Sequence, residues 1–192
     1  MTDDLRAFVF QIEQEAAQSS PGQADLAILR GWIGLVATER GLRMLTLPVA
    51  GREIALNALR EHYPDARIVS NDDTLLEVAR QVRAYLRGEL REFTVTLDLR
   101  GHTAFSLAVW AATGRIAFGQ TRTYRWVAEG VGGEPGAYQA AGAALGVNPI
   151  PLIIPCHRVI GTDGSLHGFA GGLQMKAQLL ALESGQRTLD GM

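Results

Sequence analysis

Between Asn148 and Cys156 the chain carries Pro149, Pro151 and Pro155, separated by apolar residues. Each proline locks φ near about −65° and removes a backbone donor, so this stretch can be neither a helix interior nor a central strand. It has to run extended and stiff, and it delivers Cys156, His157 and Arg158 together at its end. Cys156 is the only cysteine in 192 residues. No internal disulfide can form, and a multi-cysteine zinc site is excluded. The four histidines, His62, His102, His157 and His167, stand at no spacing that sets a metal pair on one helix face. A lone cysteine is more often an inert buried residue than a nucleophile, so its neighbours must carry any catalytic reading.

An apolar share of 47% and a charged share of 20% are those of a soluble globular chain, long enough for one ordinary domain or two small ones. No apolar run approaches the roughly 20 residues of a membrane span. The start, Met1-Thr2-Asp3-Asp4, lacks the basic and apolar stretches of a signal peptide, so a cytoplasmic protein is expected. A net charge of −2 argues by itself against a nucleic-acid partner. The charge is uneven: residues 96–192 hold seven bases and six acids, residues 1–95 eleven and fourteen. The second half is the better candidate for meeting phosphate.

The pattern predicts an α/β (α+β) chain in two parts, residues 1–100 and 101–192. In the first part, residues 1–30 are ambiguous. Phe8, Phe10 and Ile12 alternate like a strand, Ala16-Ala17 among glutamates favours helix, and Ser19-Ser20-Pro21-Gly22 is a break. Two apolar runs around Glu39-Arg40-Gly41 predict an antiparallel hairpin over 32–47. Helices are expected over 52–62, stopped by Pro64, and after the N-cap pair Asp72-Asp73 up to Gly88. Phe93, Val95, Leu97 and Leu99 predict a half-buried strand. The second part reads as mainly helical. A helix covers 102–113, with Phe105, Val109 and Ala112 on one face. Thr123 caps a short helix to about Gly130, and Glu134-Pro135 opens another over 136–145 after the Gly132-Gly133 turn. Together these make a helix-turn-helix. The second of them is almost entirely alanine and glycine, which suits either close helix packing or a thin helix entering a nucleic-acid groove. A last helix ends near Glu183-Ser184-Gly185.

A cysteine attacks as thiolate and needs a base or cation at hand. His157 and Arg158 adjoin Cys156, and adjacency alone is weak. The whole string Pro155-Cys156-His157-Arg158-Val159 after an apolar run, however, resembles the signature of the O6-alkylguanine-DNA alkyltransferase family. The resemblance runs from Phe105 to Glu183, through Trp110, Phe118-Gly119, Tyr124, Asn148-Pro149, Gly171-Gly172-Leu173 and Leu179-Leu180.

It implies DNA repair by irreversible transfer of an alkyl group from O6-alkylguanine in DNA to the chain's own cysteine. No cofactor or metal is implied, and the protein acts as a monomer on a base flipped from the minor-groove side. Cys156 is then the alkyl acceptor, His157 a general base through water, and Glu183 the group that orients and charge-balances His157. Asn148 is the hinge before the active-site segment. Tyr124 contacts the flipped base and its 3′ phosphate, backbone groups of Cys156 and Val159 read the guanine amine, and the Ala170 N–H reaches O6. Phe169 and Arg158 complete the set expected at substrate or DNA, although Arg158 also reads as a structural salt-bridge partner.

The chain departs from the family in places. Gln139 stands where an arginine usually fills the space of the extruded base, which predicts a weaker hold on intact duplex. Ala170 replaces a serine, one residue is added between Tyr124 and Pro135, and Trp126 is unusually large. Two rival readings stay open: a non-repairing module of the same fold that binds alkylated DNA, and a cysteine hydrolase acting on an amide.

Overall fold

The computed structural model describes residues 3–12, 29–133 and 136–185. They fall into two compact units that divide between Asp98 and Leu99.

In the first unit the ambiguous start resolves as a strand, β1 (Arg6–Ile12), while the Ala16-Ala17 stretch and the break after it lie outside the described residues. β1 pairs antiparallel with β2 (Gly31–Thr38), and β2 with β3 (Gly41–Leu45), the expected hairpin. Gly41 at φ +141° makes that turn, and a Cβ there would sit 2.4 Å from the Thr96 carbonyl oxygen, so only glycine fits. A two-residue strand, β4 (Arg67–Ile68), joins the far edge in parallel, giving the order β3-β2-β1-β4.

Helices α1 (Arg52–His62) and α2 (Asp73–Leu86) pack on this sheet. Leu59 of α1 meets β2 at Gly34, where any Cβ would crowd its side chain at 2.8 Å. Asp72 caps α2 by accepting from Leu75 N (3.0 Å) and pairs with Arg6 of β1. A capping carboxylate is thus also a tie between helix and sheet.

Residues 93–99 depart from the expected strand. Their side chains do alternate between exposed and half-buried as far as Leu97. Yet they pair only through one isolated bridge, Leu42 with Leu97. The reason lies with Gln81 on α2, whose side chain takes the Thr94 N–H (2.9 Å) and donates to Thr94 Oγ1 (2.9 Å). That bond spends on a helix the backbone group a ladder would need. The segment ends at buried Asp98, which accepts from Thr38 Oγ1 (2.8 Å) and faces Arg43 (3.4 Å).

The second unit is mainly helical. Its helices are α3 (Ala104–Gly114), α4 (Tyr124–Glu129), α5 (Tyr138–Gly146) and α6 (Gly172–Ser184). α4 and α5 pack on each other as a helix-turn-helix, and α3 lies against both. Phe105 falls outside the buried stripe of α3 and is 38% exposed, whereas Val109 and Ala112 are buried. Thr123 caps α4, accepting from Trp126 N at 3.1 Å. α5 begins at Tyr138, two residues later than predicted. Its small residues serve two ends. Ala141 and Ala144 are buried in packing, and buried Trp110 donates to the Ala144 carbonyl (2.9 Å), while Ala140, Ala143 and Gly146 face outward.

Candidate active site

Three elements bring Cys156 to the centre of the second unit. The first is the proline segment itself. Asn148 Oδ1 accepts from Ile150 N (3.0 Å), and its Nδ2 donates to the Ile154 carbonyl (2.9 Å) and to Cys156 Sγ (3.2 Å). One amide side chain thus ties both ends of the segment to the sulfur. The segment does not run extended as expected: it turns back between Pro151 and Ile154, holding Leu152 at φ +74°, a left-handed conformation costing on the order of 1–3 kcal/mol for a non-glycine residue. Its side chain is buried, and that burial offsets the strain. Residues Cys156–Arg158 then form a single 3-10 turn.

The second element is a short parallel pair, β5 (Arg122–Thr123) with β6 (Val159–Ile160). It sets Tyr124, first residue of α4, beside the segment that carries Cys156. The third is α6. Its buried stripe is Met175, Lys176, Leu179 and Glu183, so two charged residues occupy an apolar face two turns apart.

Glu183 explains much of the arrangement. Its buried carboxylate accepts from His157 Nε2 (2.9 Å), from Arg158 Nε (3.1 and 2.9 Å) and Nη2 (2.8 Å), and from the Gly119 N–H (3.2 Å). A carboxylate partner at Nε2 places the ring proton there and makes Nδ1 the basic nitrogen. His157 is fully buried, and burial pushes its pKa below the ordinary 6.5; Glu183 pulls upward, and the charges of Arg158 and Lys176 add to the lowering. The imidazole is therefore neutral at pH 7 and able to accept a proton.

Burial is also the main influence on Cys156, pushing the thiol above its ordinary 9.0, while the Asn148 amide and the Lys176 charge pull it down. Burial raises the Tyr124 phenol, and the Cys156 charge adds to it, so its hydroxyl keeps its proton and can donate.

A cleft of about 800 Å³ opens over the sulfur, and Cys156, Tyr124, Gln139, Asn148, Phe169 and Ala170 all line it. The predicted residues therefore meet here, with His157 and Glu183 buried behind. One does not fit the expectation. Arg158 is 6% exposed and spends its donors on Glu183 and the Ile116 carbonyl (2.6 Å); it is a salt-bridge partner and is not placed to meet DNA. The Val159 carbonyl accepts from Lys176 Nζ at 2.6 Å, which leaves its second lone pair for another donor.

Lys176, one of the seven bases in the half better suited to meet phosphate, is wholly buried. Its ammonium bridges the Val159 and His167 carbonyls (2.6 and 2.9 Å) and lies 5.7 Å from the centre of the Tyr124 ring. The signal was present in the sequence: Lys176 precedes Leu179 by three residues and Glu183 by seven, on the stripe that faces inward. His167 is exposed and lines the cleft. Its Nε2 lies 2.8 Å from Ser165 Oγ, which Asp163 Oδ1 holds at 2.5 Å.

Residues 104–185 match the family model described as 6-O-methylguanine DNA methyltransferase, DNA binding domain. The chain is 44% identical to the inducible methylated-DNA–protein-cysteine methyltransferase of Bacillus subtilis, over 65% of this chain and 68% of that one. To the methylated-DNA–protein-cysteine methyltransferase of Mycolicibacterium paratuberculosis it is 45% identical, over 71% of this chain and 85% of the relative. Among solved structures, that of Mycobacterium tuberculosis OGT in complex with DNA superposes with a TM-score of 0.69 at 35% identity, covering 94% of this chain and 93% of that one. On this likeness of sequence and fold, the chain belongs to the methylated-DNA–protein-cysteine methyltransferase family.

Proposed function

We propose that this protein repairs DNA by taking the alkyl group of O6-alkylguanine onto Cys156, once per molecule and without a cofactor. The observation that carries this is the chain's sole cysteine in a cleft walled by the helix-turn-helix, directly followed by a buried neutral histidine held by Glu183. With Nε2 committed to Glu183, His157 Nδ1 takes the thiol proton through water as the sulfur attacks. The bond between the alkyl carbon and O6 breaks, a carbon–sulfur bond forms, and the thiol proton ends on the released guanine. Glu183 balances the positive charge that passes through His157, and Arg158 holds the Glu183 carboxylate in place. Asn148 steers the sulfur, and the Tyr124 hydroxyl donates to the extruded base. Phe169 and the Ala170 N–H form the wall that receives that base, and Gln139 contacts DNA from the rim. The product is a thioether that no residue here can cleave, hence a single turnover.

Residues 1–100 and 101–192 are proposed to act as separate domains, the second carrying both DNA contact and chemistry. Among the described residues no helix is long and apolar enough to cross a membrane; a monomer in the cytoplasm is the setting proposed.

The deciding experiment is whole-protein mass after exposure to an oligonucleotide containing O6-methylguanine. Gain of one methyl per molecule supports transfer. Binding without gain supports a recognition module, and the absence of both points to the hydrolase reading.

Two expected outcomes bear on parts of this reading. A neutral His157 base and a raised thiol give a transfer rate that is level between the two pKa values. His157 is lowered, so its acid limb falls below pH 6.5, and Cys156 is raised, so the alkaline change lies above 9.0. Stability follows the same histidine: its contribution is present above 6.5 and is lost as pH falls through the depressed folded value. A rate that climbs about tenfold per pH unit through neutrality would instead mean attack by free thiolate without His157. Arg125, exposed on α4 and lining the cleft, is expected to meet phosphate. Arg125→Ala should weaken binding to all sequences and lower the slope of log K against log salt by about 1, measured by fluorescence anisotropy.

A further inference from the structure

Reaching O6 of a stacked guanine requires that the base leave the duplex, and proteins that open base steps commonly insert a side chain into the gap. α5 contributes Tyr138, Gln139, Gly142, Leu145 and Gly146 to the cleft wall. The two glycines have nothing to insert, Leu145 is buried at 6% exposure, and Gln139 is short and neutral. Tyr138 is different. It opens α5, lines the same cleft as Cys156, and leaves 46% of its surface in solvent. Among the described residues of the helix-turn-helix, the other large exposed aromatic, Trp126, does not line the cleft, and its ring lies 5.6 Å from the Arg122 guanidinium; Arg125 lines it but holds by charge.

Tyr138 thus presents a free aromatic face at the mouth of the cleft that holds Cys156. Tyrosine suits a base stack: its flat face covers a neighbouring base, its hydroxyl stays in water, and only two torsions are fixed on binding. We infer that Tyr138 is the side chain that enters the base stack when the guanine leaves, with Gln139 as a rim contact beside it. This rests on the alkyl-transfer reading above. Tyr138 touches none of the reacting atoms, so it is a positioning residue. Because its hold is by stacking and not by charge, it releases no counterion, and its effect on duplex repair is the same at low and high salt.

The test compares second-order transfer rates on a duplex carrying O6-methylguanine with those on O6-benzylguanine as free base, which needs no extrusion. Tyr138→Ala should lose tenfold or more of the duplex-over-free-base ratio, at both low and high salt. Tyr138→Phe and Tyr138→Trp should keep the ratio. A merely structural residue would slow both substrates alike and leave the ratio unmoved. If the ratio survives Tyr138→Ala, or if Gln139→Ala loses the larger share of it, the inference is overturned while alkyl transfer stands. A wild-type protein inert toward both substrates overturns alkyl transfer itself and this inference with it.

Discussion

Cys156→Ser is expected to take no alkyl group from DNA while still binding it. The wild-type thiol already sits where burial opposes ionisation, and a serine hydroxyl, far less acidic and less nucleophilic, cannot be brought to attack by one neutral histidine. The fold should survive the change. The hydroxyl is smaller than the thiol and retains a donor in Asn148 Nδ2, which now lies 3.2 Å from the sulfur. Cys156 is also the only thiol in the chain, so no second acceptor can take over. Intact mass after incubation with methylated oligonucleotide, alongside an anisotropy titration, reads both halves of the expectation. One-to-one mass gain by the serine variant would sink the assignment of Cys156.

Glu183→Gln should have the next largest effect, and on two quantities at once. The neutral amide no longer balances the charge arriving on His157, and loss of general-base assistance is worth on the order of 10²–10⁴ in rate. The same change strands the Arg158 guanidinium, which is buried with three contacts to that carboxylate. Removing one member of a buried ion pair costs about 3–5 kcal/mol of stability. The combination Glu183→Gln with Arg158→Met separates the two effects. It removes the stranded charge, so melting temperature should recover in large part while transfer stays slow. If rate and melting temperature recover together, Glu183 is only a structural partner of Arg158, and the charge on His157 is balanced elsewhere.

The elements legible from sequence were those written in local chemistry. Asp72 and Thr123 announced the starts of α2 and α4 because a capping side chain acts on backbone three residues away. The Glu39-Arg40-Gly41 hairpin followed from a turn that only glycine can make at its last position. The strand expected over 93–99 failed for the complementary reason. Its alternation reported burial correctly, but pairing depended on Gln81, thirteen residues back on a helix, which took the backbone group first.

The same division runs through the site. The order of residue types along the chain determined that a stiff proline segment would present Cys156 with His157 beside it, and the family likeness followed from that order. Only the tertiary structure decided what each neighbour does. Arg158, open in sequence between DNA contact and salt bridge, and Lys176, one of the seven bases of the second half, are both buried: one on a carboxylate 25 residues away, the other bridging two carbonyls at Val159 and His167. Charge in a folded protein takes its role from its partners and from how much water it loses. Partners brought from distant positions leave little trace in the sequence between them. Tyr138 shows the same in reverse, a large ring that the start of α5 leaves exposed at the mouth of the cleft.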